Sequence, residues 1–340
     1  MPVNPQWLSQ HQEEILEPEL PICDPHHHLW DYPDSRYLVP ELSQDTGSGH
    51  NIRSTVFVEC MSAYEDSLGS ALAPVGETRF VMRQTQQDYN PDHATRVADG
   101  IVAFADLRLG KSVEQVIDAH LDAAGGRLKG IRHACGWDAD ASIRNSHTNP
   151  PPHLYLDPDF QAGFACLQEF DLVFDAWLYH TQLEELRTLA QLFPDQTFII
   201  DHVGGPLGIG PFAGKREEVF NQWRESMSLL AQQANVHVKL GGMAMAINGF
   251  DWHKRAHPPS SSDLAAAMAP YISHCIEEFG TARCMFESNF PVDKVSCSYA
   301  VLWNAFKRLA QDFSIAEKAQ LFHDNAVRLY SLTDSSRPST

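Results

Sequence analysis

The chain has 340 residues, enough for one large domain or two of ordinary size, and 43% of them are hydrophobic. Its 25 basic and 44 acidic residues give a formal net charge of −19 with no Lys/Arg-rich run, which argues against a nucleic-acid or anionic-membrane surface. The seven cysteines are scattered and contain no CxxC pair, and Met1–Leu20 is polar and acidic with no apolar secretory core, so a cytoplasmic protein with free thiols is the default expectation.

In chain order, the first predicted strand is Ile22–Asp24, which runs into Pro25-His26-His27-His28. Alternate strand residues share a face, so His26 and His28 point one way and His27 the other. Two imidazoles on one face are half of a metal site or a place to move protons near neutral pH; a surface histidine cluster is the competing reading. Further short apolar runs follow at 54–60, 101–107, 128–133, 172–178, 197–202, 236–240 and 284–286. Most are nearly continuous in apolar residues, the pattern of parallel strands buried on both faces.

Helical spacing of apolar residues separates many of these runs: 113–123 (ending at Gly125-Gly126), 160–170, 182–193 (stopped by Pro194), 217–233, 264–279, 299–311 and 315–330. Eight strands alternating with helices predict an α/β chain folded as a distorted (β/α)8 TIM barrel spanning residues 21–332 as a single domain. An open doubly wound sheet is the alternative, but no GxGxxG follows the first strand. Residues 1–20 form an N-terminal extension and 333–340 a C-terminal tail. The stretches 136–159 and 241–262 read as long loops after strands, the positions of lids in a barrel.

The ends of these runs carry residues capable of chemistry: His26 and His28, Glu59, Asp106 and Arg108, Arg132-His133, Tyr179-His180, Asp201-His202, Lys239, and Glu287-Ser288-Asn289. In a barrel such strand ends converge on one pocket.

The chain resembles the amidohydrolase superfamily, in its amidohydrolase-2 branch of lactonases and, more distantly, decarboxylases. The resemblance spans about residues 20–332. It rests on D-x-H-x-H at Asp24, His26 and His28, L-K-G-I-R-H at Leu128–His133, F-I-I-D-H-V-G-G-P at Phe198–Pro206, V-K-L-G-G at Val238–Gly242, S-N-F-P-V-D at Ser288–Asp293 and F-H-D-N-A-V-R-L-Y at Phe322–Tyr330. It implies hydrolysis of an ester, lactone or amide bond, here the opening of a lactone or related cyclic ester of a small carboxylated substrate by activated water. Non-oxidative decarboxylation of an aromatic or unsaturated acid on the same scaffold is the alternative, and a barrel that binds a small acid without turnover is a third reading.

The resemblance puts His26 and His28 on a metal or on the reactive carbonyl, His202 in the role of acid/base or electrophile, and His180 at a third metal position, with Tyr179 competing for the inward direction. One divalent metal, zinc first, is the implied cofactor. Asn289 stands where relatives carry the aspartate that deprotonates water; an amide is a poor base and a weak ligand. Metal-independent action is therefore also open, and the base falls to Glu287, Asp293, Glu59 or His202. Strand alternation puts Glu287 on the face of Asn289, while Asp201 is expected to turn away from His202 into a structural role. Arg132 suits a carboxylate clamp, with Lys239, Glu59, Tyr179, Trp137 and Trp252 as further substrate-binding candidates. The expected partner is a small carboxylated or cyclic ester molecule, with neither nucleic acid nor membrane; assembly into a homo-oligomer is left open.

Overall fold

The computed structural model describes residues 3–87 and 95–333. Its eight main strands are β1 (Pro21–His27), β2 (Asn51–Val58), β3 (Arg96–Ala103), β4 (Leu128–Arg132), β5 (Val173–Ala176), β6 (Phe198–Ile200), β7 (Val236–Leu240) and β8 (Cys284–Phe286). All pair in parallel and follow chain order around the sheet. Helices between the strands cover the outside, giving the (β/α)8 barrel expected from the sequence. Two of them, Val39–Thr46 and Val75–Gln87, lie in stretches whose polarity hid them from the sequence pattern.

The seam between β8 and β1 is closed differently from the others. One parallel bridge, His27 to Phe290, replaces a ladder. His28 N donates to Phe290 O at 2.8 Å and Asn289 N to His26 O at 3.0 Å. The first residue of the D-x-H-x-H motif completes the closure: the Asp24 carboxylate accepts from Ser288 N at 2.9 Å, Ser288 Oγ at 2.6 Å and Tyr299 OH at 2.9 Å. Burial pushes the Asp24 carboxyl up to about 6, and these three donors oppose the rise.

Inside the barrel, Cys23, Val56, Val58, Val102, Val173, Ile199 and Met285 form an apolar floor. The final helical segment plugs it from below with Ala326, Tyr330 and Leu332. This explains the last sequence motif: Tyr330 OH rises through the floor to the Asp175 carboxylate at 2.9 and 3.0 Å. The opposite strand faces, including Phe174, Phe198, Ile200, Val236, Val238 and Leu240, pack under the helices. Beyond β4 and β7 the chain runs in turns and single 3-10 turns, such as 154–156, 246–248 and 252–254, as the two loop assignments anticipated. The N-terminal extension is tied down at Lys307, whose Nζ donates to Leu16 O and Glu17 O at 2.7 and 2.9 Å. Apart from Thr333, the tail lies outside the described residues. No helix among the described residues is long and apolar enough to cross a membrane.

Candidate active site

His26 and His28 leave β1 toward the barrel axis, and His27 turns to the wall, where its Nε2 meets Thr55 Oγ1 at 2.9 Å. His26 is the hub. Its ring centroid lies 4.9 Å from that of His28 and 4.5 Å from that of His202. Its Nδ1 is 2.9 Å from Glu287 Oε2, 3.2 Å from Lys239 Nζ and 3.4 Å from Asp201 Oδ1. Carboxylates at this nitrogen call for an N–H there, and Lys239 has better acceptors elsewhere, so the His26 lone pair sits on Nε2. The His28 tautomer follows in the same way. Its Nδ1 donates to Val58 O at 2.7 Å, which leaves its Nε2 unprotonated. The two Nε2 atoms face each other at 3.3 Å. Burial lowers both histidines, His28 well below its ordinary value, so both rings are neutral and their lone pairs confront one another.

Glu287, at the end of β8, accepts from His202 twice through one oxygen. His202 N donates to Oε1 at 2.9 Å and His202 Nδ1 to the same atom at 2.6 Å. Burial raises the Glu287 carboxyl, but His202 and His26 outweigh it and hold the group at about 2. With Nδ1 occupied, the His202 lone pair is on Nε2. The V-K-L-G-G motif makes room for this pair. A Cβ at Gly241 would lie 2.3 Å from Glu287 O, and one at Gly242, where φ is +65°, would lie 2.3 Å from His202 Nδ1. His202 itself has φ +55°. That left-handed residue explains an expectation the structure overturns. In β6, Ile199 faces the axis, and alternation carries Asp201 inward with it. His202 then turns in as well because its backbone leaves the extended region. Asp201 is therefore part of the cluster.

Below the histidines lies a buried charge layer. Arg132 Nε donates to Glu59 Oε1 at 2.7 Å, Nη2 to Glu59 O at 2.5 Å, and Nη1 to Asp201 Oδ2 at 3.1 Å and His26 Nε2 at 3.5 Å. Lys239 Nζ bridges Asp175 Oδ2 at 2.6 Å and Asp201 Oδ1 at 2.9 Å. Burial raises the Glu59 carboxyl, yet His147 and Arg132 bring it down to about 2; its Oε2 takes His147 Nε2 at 2.7 Å. Asp201 is held well below the usual carboxylate range because Lys239, His26 and Arg132 overcome its burial. Asp175 is pushed up to about 6 by burial, with Lys239 opposing. The sequence reading missed Asp175 and Tyr330, although a lone acid inside the apolar run 172–178 was a visible signal.

The structure brings His26, His28, His202, Glu287, Arg132, Lys239 and Glu59 together and sets other candidates apart. His180 takes a bond from Leu207 N at 3.3 Å to its Nδ1 and packs against Phe212, so it does not join the pair His26–His28. Turning the chain into a 3-10 turn at 180–182 carries it aside. Trp252 is 1% exposed and stacks on Phe250 at 4.4 Å, a packing role under the loop. Tyr179 OH donates to Arg144 O. Trp137 is half-buried, held through its N by Gln182 Oε1 at 2.9 Å. Asn289 is buried with φ +54°, and its Nδ2 donates to Asp293 Oδ1 at 2.9 Å, away from a base's role. Arg132 spends four of its five N–H groups on protein acceptors, which removes the bidentate carboxylate clamp expected of it. Trp177, unremarked in the sequence, sets its ring edge against His202 with centroids 4.8 Å apart.

Two observations bear on a metal. Among the described residues, His26, His202 and Glu287 are a group whose ligand atoms lie within 4.8 Å of one another. The buried layer is also short of positive charge: Arg132 and Lys239 face Glu59, Asp175, Asp201 and Glu287. The donor set of imidazole nitrogen and carboxylate oxygen suits a divalent ion such as zinc.

Comparison with known proteins now decides the family. The amidohydrolase family model, of the Amidohydro_2 type, matches residues 23–332. The chain is an amidohydrolase. It is 33% identical over 328 residues to the uncharacterized protein y4mH of Sinorhizobium fredii (strain NBRC 101917 / NGR234), covering 92% of this chain and 99% of that relative. It is 25% identical over 324 residues to an L-fucono-1,5-lactonase of Burkholderia multivorans (strain ATCC 17616 / 249), covering 92% and 96% respectively. Among solved structures, an amidohydrolase of Burkholderia multivorans with bound zinc superposes with a TM-score of 0.71 at 23% identity, over 92% of this chain and 99% of that one. The last likeness is one of fold.

Proposed function

We propose that this amidohydrolase opens the ring of a small lactone by attack of water, with His202 as the proton-transfer group and Glu287 as the residue that positions it. The observation that carries the reading is the double bond from His202 to Glu287 Oε1. A carboxylate that fixes Nδ1–H aims the Nε2 lone pair of the same ring at the pocket and stabilises the ring once it has taken a proton. Glu287 itself is a weak base at about 2 and is fully buried, so the sequence-based candidacy of Glu287 for the base gives way to His202. Water attacks the ester carbonyl, His202 Nε2 accepts its proton, and the proton then passes to the leaving ring oxygen. Arg132 and Lys239 offset part of the negative charge of Glu59, Asp175, Asp201 and Glu287, which limits its repulsion of the developing oxyanion. The lactonase names of the relatives support the same class of reaction.

A divalent ion would be held by the facing nitrogens of His26 and His28. Two nitrogens at 3.3 Å suit bonds of about 2.0–2.1 Å to one tetrahedral centre. When bound, it would polarise the ester carbonyl. This assignment leaves His202 Nε2 free for its proton.

The test is a panel of γ- and δ-lactones read by acid release, run beside CO2 release from aromatic acids. Saturable acid release without CO2 supports the reading. CO2 release without lactone turnover transfers the site to decarboxylation.

A further inference from the structure

The C-terminal plug reaches further into the barrel than packing requires. It is fastened to the turn that leads into β8. Asn325 Nδ2 donates to Thr281 O at 2.7 Å and to Cys284 O at 2.8 Å, and Arg328 Nη2 to Ala282 O at 3.0 Å. These bonds fix the segment that ends in Tyr330. The Tyr330 ring packs in the apolar floor with Cys23, Val56, Val58 and Val102, a place that phenylalanine would fill. Its hydroxyl is used otherwise: it lies 3.0 Å from Asp175 Oδ1 and 2.9 Å from Oδ2, with both residues buried. A buried hydroxyl with such a partner is a built contact.

One residue separates Asp175 from the His26 hub. Lys239 Nζ donates to Asp175 Oδ2 at 2.6 Å and to Asp201 Oδ1 at 2.9 Å, and lies 3.2 Å from His26 Nδ1. The Tyr330 ring also faces this ammonium, with Nζ 5.5 Å from its centroid. Lys239 thus has two carboxylates and a ring nitrogen around its N–H donors. The nitrogen cannot accept while it carries its own hydrogen toward Glu287 Oε2 at 2.9 Å. A Lys239 deprived of Asp175 would have a donor to spare beside Nδ1 and would compete for a lone pair there. The His26 hydrogen would then move to Nε2, the atom that faces His28 at 3.3 Å. Asp175 is faced by Lys239 from β7, Asp201 from β6 and Tyr330 from the plug. Burial pushes its carboxyl up to about 6 against Lys239; Asp201 adds to the rise and Tyr330 opposes it. The phenol therefore helps to keep this carboxylate ionised.

We propose that Tyr330 is a positioning residue for the reaction: by holding the Asp175 carboxylate against Lys239, it keeps that ammonium bonded to carboxylates and so presents the His26 lone pair on Nε2. The effect on turnover rests on the lactonase reading, whereas the effect on the His26 tautomer is independent of it.

The test compares the wild type with Tyr330→Phe, Asp175→Asn, the double variant and Leu332→Ala, which removes only apolar contacts from the same plug. Nitrogen NMR of 15N-histidine-labelled protein, dialysed against a chelator so that no ion fixes the ring, reads the His26 tautomer; its signals are assigned by their loss in His26→Gln. The expected result is Nδ1–H in the wild type and Leu332→Ala, and a shift toward Nε2–H in Tyr330→Phe and Asp175→Asn. On a δ-lactone, Tyr330→Phe lowers kcat by about 10–100-fold with KM little changed. With a donor to Asp175 gone, that carboxyl takes its proton at higher pH, so the acid limb of kcat moves up by about 1–2 pH units. The double variant is no slower than Asp175→Asn, because both changes act through one contact. An unchanged tautomer in either single variant, the same shift in Leu332→Ala, or rate losses that multiply in the double variant would overturn the proposal. Should Tyr330→Phe not fold, the tautomer in Asp175→Asn decides. If no lactone is turned over, the hydrolase reading fails separately and the tautomer still judges Tyr330.

Discussion

Glu287 Oε1 receives both the backbone N–H and the Nδ1–H of His202, at 2.9 and 2.6 Å. One atom thus fixes the position of the loop after β6 and the tautomer of its histidine. Glu287→Gln keeps the shape but replaces a charged acceptor with an amide, so the ring is less firmly aimed and its protonated form loses its counter-charge. The expected fall in kcat is about 10²–10⁴-fold with a smaller change in KM. Steady-state kinetics on a lactone substrate checks this; a kcat within a factor of about three of the wild type would remove Glu287 from the mechanism.

The glycines after β7 protect the same pair. Gly242→Ala would put a methyl group 2.3 Å from His202 Nδ1 at φ +65°. The expected result is loss of most activity together with a stability cost of about 1–3 kcal/mol. Gly214→Ala is the control, because φ there is +74° but no atom lies within 4 Å of the added carbon. It carries the backbone strain alone, so it should cost about 1–2 kcal/mol of stability and little activity. Melting curves and rates measured on both variants separate strain from displacement of His202.

Acid stability follows from the depressed carboxylates. Glu59 and Glu287 are held at about 2 in the folded chain, against about 4.3 in an unfolded one. Between those values the unfolded state binds more protons, so stability rises with pH across the window. The contribution is complete above about 4.3 and is lost as pH falls through about 2. Glu59→Gln should flatten this slope between pH 5 and 3, and at neutral pH should cost about 3–5 kcal/mol because Arg132 loses its nearest counter-charge. Urea unfolding at several pH values measures both effects. An unchanged slope would mean that the Glu59 carboxyl is not depressed in the fold.

Metal content discriminates between the donor sets that share His26. If the facing nitrogens of His26 and His28 hold the ion, His28→Ala lowers its affinity by about 10–100-fold or more, while His202→Ala retains it. Elemental analysis after dialysis against a competing chelator gives the answer. Retention in His28→Ala and loss in His202→Ala would shift the ion to the His26–His202–Glu287 group.

The barrel was legible because its strands are almost purely apolar and its helices carry regular stripes. The stretches 236–240 and 284–286 coincide with β7 and β8 to the residue. The pairing of His26 with His28 was legible from alternation alone. What failed did so where alternation ends. The sequence rule placed Asp201 outward by assuming that His202 continued β6, whereas β6 stops at Ile200 and His202 is left-handed. Likewise the run 172–178 pointed to a strand but gave no hint that Asp175 would meet Lys239 and a tyrosine some 155 residues later. Partners that distant in the chain are set by barrel closure and by the C-terminal plug, which no local pattern encodes. Arg132 was correctly drawn into the cluster, but its free donors depend on how many acceptors surround it, a property of packing.

The most direct test of the central claim is the rate of acid release from a δ-lactone by the wild type and by His202→Ala at neutral pH, with the melting temperature of each. The expected result is saturable hydrolysis by the wild type and a loss of at least about 10³-fold in kcat for His202→Ala without loss of the folded state. Turnover in His202→Ala within about tenfold of the wild type would contradict the assignment of proton transfer to this histidine.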